Sequence, residues 1–169
     1  MPQKLNKNQI IIFSDGSSRG NPGRGGYGAI FIHNDRAIEL GKRFEHTTNN
    51  KMELQSVIDA LCLIDKNKND LSNPLEITIF TDSKYVIKGA TEWIFGWKRN
   101  GWKTANKEEV KNRELWEEMG DLISGKKINW KLLPGHAGVL GNERCDEIAT
   151  KFADGETVIC TMEHSIDIK

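Results

Sequence analysis

Apolar and polar positions alternate along this chain in a way that separates strands from helices. Residues 9–14 are nearly continuously apolar through Ile10-Ile11-Ile12-Phe13, the pattern of a central strand covered on both faces, and the run stops at Asp15. Two β-prone stretches, 26–33 and 36–44, flank Asn34-Asp35, a pair suited to the turn of an antiparallel hairpin. From residue 51 to about 66 the period lengthens, and Leu54, Val57, Ile58, Leu61 and Ile64 mark one face of an amphipathic helix. A polar loop, 67–73, precedes a short β-branched and aromatic run, 76–81, that ends at Asp82. Strand, helix, strand in this order implies a parallel crossover.

Short helical turns are expected over 83–95, followed by a loop rich in Trp and Lys. A helix at about 112–124 then places Leu115, Met119, Leu122 and Ile123 inward, and 127–133 reads as a fifth strand. A Gly-punctuated loop, 134–141, leads to a last helix for which Asn142 is the expected cap. The fold class is therefore α/β, a mixed sheet with helices. The expected division is a flexible N-terminal tail over 1–8, one domain over 9–153 and a C-terminal tail over 154–169.

Composition narrows the setting. With 37% hydrophobic and 28% charged residues over 169 positions, the chain can bury one core without disulfides or structural metals. The longest apolar run, residues 60–64, is too short to span a bilayer, and the polar N-terminus has no signal-peptide core. Cys62, Cys145 and Cys160 are odd in number and show no zinc spacing, so free thiols in a reducing cytoplasm are expected. The formal net charge is zero, but affinity for phosphate follows local clusters of charge. Between Trp93 and Arg113 the chain carries Lys98, Arg99, Lys103, Lys107, Lys111 and Arg113 against Glu108 and Glu109, a local net of +4 interleaved with Trp93, Trp97 and Trp102. Basic side chains displace phosphate counterions and aromatic faces pack on sugars or bases. The competing reading, core tryptophans beside a solvated lysine face, suits Trp97 and Trp116.

Four carboxylates hold the candidate chemistry. Ile12-Phe13-Ser14-Asp15 and Ile79-Phe80-Thr81-Asp82 each place an Asp where a buried strand leaves the sheet, and parallel neighbours would bring the two together. Either Asp alone could instead begin a turn or cap a helix. Glu53 shares a helical direction with Val57, Ala60 and Ile64, so it faces the sheet, and no Lys or Arg lies three or four residues on to neutralise it. Asp146 borders the arc of Cys145, Ala149, Phe152 and Ala153, although Glu143, Asp146 and Glu147 could equally form an acidic first turn. Converging carboxylates raise one another's pKa values unless cations bind between them, and oxygen-only ligands suit Mg²⁺ or Mn²⁺.

The segments Ser14-Asp15-Gly16-Ser17, Gly20-Asn21-Pro22-Gly23, Thr48-Asn49-Asn50-Lys51-Met52-Glu53-Leu54, Thr81-Asp82-Ser83, Pro134-Gly135-His136-Ala137-Gly138 and Gly141-Asn142-Glu143-Arg144-Cys145-Asp146 resemble type 1 ribonuclease H, of the bacterial ribonuclease HI kind with a basic protrusion. The resemblance extends over about 9–153 and its motifs stand in order. It implies a five-stranded mixed sheet with helices on both faces. It also implies an endonuclease that hydrolyses the RNA strand of RNA–DNA hybrids, leaving 5′-phosphate and 3′-hydroxyl ends. Asp15, Glu53, Asp82 and Asp146 fall on the family's ligands for two Mg²⁺ (or Mn²⁺) ions, and His136 on its proton-transfer residue. Asn21, Thr48, Asn49, Asn50, Trp93, Thr104 and Asn112 match positions that contact the hybrid backbone, with Lys84 and the basic segment residues Lys98, Arg99, Trp102 and Lys103 added to the substrate side. His46 is weighed with Lys84 as a variable contact. The expected molecule is a free-standing cytoplasmic monomer with no membrane association and no obligate protein partner. Weighed against it are another nuclease or strand-transfer enzyme of the same fold, a non-catalytic hybrid-binding module, and a piece of a reverse transcriptase polyprotein.

Overall fold

The computed structural model describes residues 8–34, 36–68, 71, 75–134, 138–160 and the backbone of 162–164. Its elements are β1 (Gln9–Gly20), β2 (Gly23–His33), β3 (Arg36–Thr47), α1 (Asn49–Lys66), β4 (Glu76–Thr81), α2 (Lys84–Lys88), a π turn (Gly89–Trp93), α3 (Ile94–Arg99), α4 (Arg113–Ile123), β5 (Lys127–Leu132), α5 (Leu140–Ala153) and β6 (Met162–His164). The sheet runs β5-β4-β1-β2-β3-β6. β1 pairs antiparallel with β2 and parallel with β4, and β4 pairs parallel with β5. The five expected strands form a mixed sheet, and β6 adds a short sixth against β3 from within the segment read as a tail.

Several boundaries differ from those the pattern predicts. β1 does not stop at Asp15: it stays paired with β2 as far as Gly20↔Gly23, so the hairpin projects beyond the parallel part of the sheet. Only backbone pairing marks this extension, because residues 15–20 are polar or glycine and carry no apolar alternation. Asn142 is not the cap of α5. The helix begins at Leu140 with Val139 at the cap position and no side-chain cap bond, leaving Asn142 buried in the first turn. The turns expected over 83–95 form a nearly continuous helical stretch through α2, the π turn and α3.

Two apolar layers sandwich the sheet. Ile10, Ile12, Ile77 and Ile79 pack on Leu54, Val57, Ile58 and Leu61 of α1, with Trp116 and Met119 of α4 behind them. On the other face Phe13, Ile30, Ile32 and Ala37 cluster with Cys145 of α5. Close approach by the helices requires glycine at two strand positions. A Cβ on Gly16 would lie 2.5 Å from the Glu53 nitrogen, and one on Gly28 would lie 2.4 Å from the Cys145 oxygen. Both helices therefore touch the sheet with a residue that adjoins or is a candidate ligand. Cys62, Cys145 and Cys160 are free thiols. Among the described residues, no helix is long and apolar enough to cross a membrane.

Candidate metal centre and nucleic-acid interface

The parallel register explains how two aspartates meet. Phe13 pairs with Phe80 at the last rung between β1 and β4, and their rings stack at 5.0 Å. Asp15 and Asp82 each stand two residues beyond that rung, so the matching strand ends deliver matching carboxylates. The chain after β4 is held closely: Thr81 Oγ1 accepts the Ser83 N–H at 3.1 Å, and Ser83 Oγ accepts the Val86 N–H at 3.2 Å as the cap of α2. Glu53 arrives from the other direction. Thr48 caps α1 by accepting the Lys51 N–H at 3.2 Å, and the first turn lies directly on Gly16.

Carboxylate oxygens of Asp15, Glu53 and Asp82 all lie within 4.8 Å of one another. Asp15 is buried, and Glu53 Oε2 is a buried oxygen with no hydrogen-bond partner. Burial, followed by the charge of Asp82, pushes the Asp15 carboxyl up to about 7, and Asp146 on α5 adds to the rise through its charge and a hydrogen bond. Burial, followed by the charges of Asp15 and Asp82, raises Glu53 well above the usual carboxylate range. Asp146 thus stands beside Asp15, outside the tighter threesome. An all-oxygen set, acidic, mutually repelling and containing one orphaned oxygen, fits a hard divalent cation.

The remaining predicted residues fall into two groups. Asn21, Thr48 and Asn49 come together at the start of α1, where the Asn21 Oδ1 accepts the Asn49 N–H at 2.9 Å, and Asn50 is exposed in the same turn. Lys84 is exposed as the first residue of α2. Trp93, 38% exposed, tilts against Tyr85 and Trp97, while Trp116 is fully buried and Trp97 and Trp102 are half-buried. Lys98 rests its stem near Gly120 of α4, and Arg99 and Lys103 are exposed. The loop after α3 folds back on itself through Val110 N–H to Trp102 O and Thr104 N–H to Glu108 O. Arg113 does not add free charge to it, because it pairs with Glu109 at 3.3 Å and Glu117 at 2.5 Å. Between the starts of α1 and α4 runs a groove of about 500 Å³, whose lining includes His46, Lys51, Asn112 and Arg113. His136 lies outside the described residues.

Tyr85 stands in none of the sequence motifs. Its hydroxyl accepts from Asn112 Nδ2 at 3.0 Å and from Trp116 Nε1 at 2.9 Å, holding the left-handed Asn112 at the groove wall. These partners are 27 and 31 residues away, so no local pattern signals them.

Known proteins resemble this chain in sequence and in fold. The family model for RNase H matches residues 7–154. The chain is 46% identical over 150 residues to ribonuclease HI of Haemophilus influenzae, spanning 89% of this chain and 93% of that one. It is 49% identical over 140 residues to a ribonuclease H of Pelobacter propionicus, spanning 83% and 82%. Among solved structures it is similar to LC9-RNase H1, a type 1 RNase H with the type 2 active-site motif, with a TM-score of 0.78 and 26% identity over 97% of this chain and 80% of that one. With four carboxylates carried on the strand ends and helices of this fold, the chain belongs to the ribonuclease H family, as a type 1 member.

Proposed function

We propose that this ribonuclease H hydrolyses the RNA strand of RNA–DNA hybrids with two Mg²⁺ ions held by Asp15, Glu53, Asp82 and Asp146. The observation that carries the reading is the convergence of three acids within 4.8 Å, one of which, Glu53, has a buried oxygen with no hydrogen-bond partner. Such an arrangement is costly for folding alone and is relieved by bound cations. When bound, divalent ions supply the positive charge that activates a water and offsets charge on the scissile phosphate. The protein's own part is to orient. Gly16 donates its N–H to Asp15 Oδ1 at 2.9 Å, and the rung at Phe13 and Phe80 fixes the two strand-end acids relative to each other. His136, on the strength of the family motif, is proposed for proton transfer.

The substrate side is proposed as the surface that runs from Asn21, Thr48, Asn49 and Asn50 through the groove at Asn112 to Trp93 and the loop bearing Lys98, Arg99, Trp102, Lys103 and Thr104, with Lys84 beside the acids. It offers amides and hydroxyls near the carboxylates and cations farther out, a division suited to reading 2′-hydroxyls on one strand and gripping phosphates of the other. We take the active form to be a cytoplasmic monomer.

Glu53→Gln tests the centre. It removes one charge at constant shape, so cleavage of hybrid should fall by at least about a hundredfold while hybrid binding, measured by gel shift without metal, holds or improves. Retained cleavage would exclude Glu53 from the metal site.

A further inference from the structure

The tip of the hairpin between β1 and β2 is fastened at two places. On one side Asn21 Oδ1 accepts the Asn49 N–H at 2.9 Å, with Ser18 Oγ 3.0 Å from the same oxygen, which ties the tip to the first turn of α1. On the other, Arg19 makes a forked contact with Asp154, Nε to Oδ1 at 2.5 Å and Nη2 to Oδ2 at 2.8 Å, across 135 residues of sequence. Asp154 terminates α5, its N–H donating to the Thr150 carbonyl at 2.9 Å. The tip therefore spans the two helices that bring Glu53 and Asp146 to the acids from opposite faces of the sheet.

The fastening answers a local conflict. Arg19 stands directly opposite Arg24 in the antiparallel register, and like charges so placed repel. The Asp154 carboxylate lies in the field of both guanidinium groups and offsets that repulsion. With both partners more than 40% exposed, the pair adds little to folding stability, yet a forked guanidinium–carboxylate contact fixes direction as well as distance.

We propose that Arg19 is a positioning residue: clamped by Asp154, it holds the hairpin tip so that Asn21 keeps its place on α1 and presents a fixed edge to the substrate. The proposal rests on the reading of Asn21 as a contact to the hybrid backbone. Arg19 acts through Asn21 and not on the reacting atoms.

Arg19→Ala, Asp154→Ala and the double variant test it, with kinetics on hybrid and amide hydrogen exchange at Asn49, whose N–H is the bond the clamp protects. Each single variant should raise KM about threefold to tenfold with kcat within about twofold, and the double should be no worse than the worse single, because all three remove one contact. Exchange at Asn49 should quicken in all three while the thermal midpoint stays within a few degrees. Unchanged Asn49 exchange, or additive effects on KM, would overturn the clamp. Should the wild-type protein leave hybrid intact while Asn49 exchange still quickens, the substrate reading fails and the tether stands.

Discussion

Asp15 and Glu53 both bear an electrostatic cost at the site, and for Asp15 its pH range is defined. Its carboxyl is raised from 3.8 to about 7, first by burial and then by Asp82, so the folded protein holds a proton there over a pH range in which the unfolded chain has released it. The sign follows directly: this group weakens folding progressively as pH rises from about 4 to about 7, and the full loss is present above that range. Asp15→Asn should therefore raise the thermal midpoint of metal-free protein at pH 8 and leave it nearly unchanged at pH 4, as scanning calorimetry in EDTA would show. An equal gain at both pH values would contradict the electrostatic account. Glu53 follows the same logic, its carboxyl raised by burial and then by Asp15 and Asp82, with one buried oxygen left without a hydrogen bond. At this scale the sequence was legible where charge conflicts with pattern, as with Glu53 on an apolar helical face. It was silent where partners are remote, as with Tyr85 and Asn112 or Arg19 and Asp154.

Elements meet the site through small areas of close contact. The start of α1 reaches Asp15 only because Gly16 has no side chain, and a methyl group there would lie 2.5–2.7 Å from Glu53 and Met52 atoms. Gly16→Ala should cost about 1–3 kcal/mol in urea unfolding through overpacking. It should also reduce cleavage beyond what the stability loss explains, since the displaced backbone carries Glu53. A variant with full activity would show that α1 tolerates the shift. Helices α1 and α4 and strands β4 and β5 were readable from period and alternation, because α1, α4 and β4 each bury a face and β5 turns Ile128 and Trp130 against the same core. The extension of β1 to Gly20, the start of α5 at Leu140 and strand β6 were not, because backbone pairing and packing determine them without an apolar signature.

For the whole molecule, neutrality and polyanion binding are reconciled by separation of charge. The acids gather where β1, β4, α1 and α5 meet, while exposed Lys98, Arg99, Lys103, Lys107 and Lys111 occupy the stretch from α3 to the approach to α4. This segregation was visible in the sequence as local composition, and the groove between the starts of α1 and α4 is lined by His46, Lys51, Asn112 and Arg113. On the proposed reading, the cations and aromatic faces take the duplex and the carboxylates take the scissile bond, so binding and cutting fall on different residues. The central claim is tested most directly by incubating the protein with end-labelled RNA–DNA hybrid, RNA duplex and DNA duplex, each with Mg²⁺ and with EDTA. Cutting confined to the RNA strand of the hybrid, requiring Mg²⁺ and leaving 5′-phosphate ends, is the predicted result; cleavage of hybrid in EDTA, or equal cleavage of the three duplexes, would contradict it.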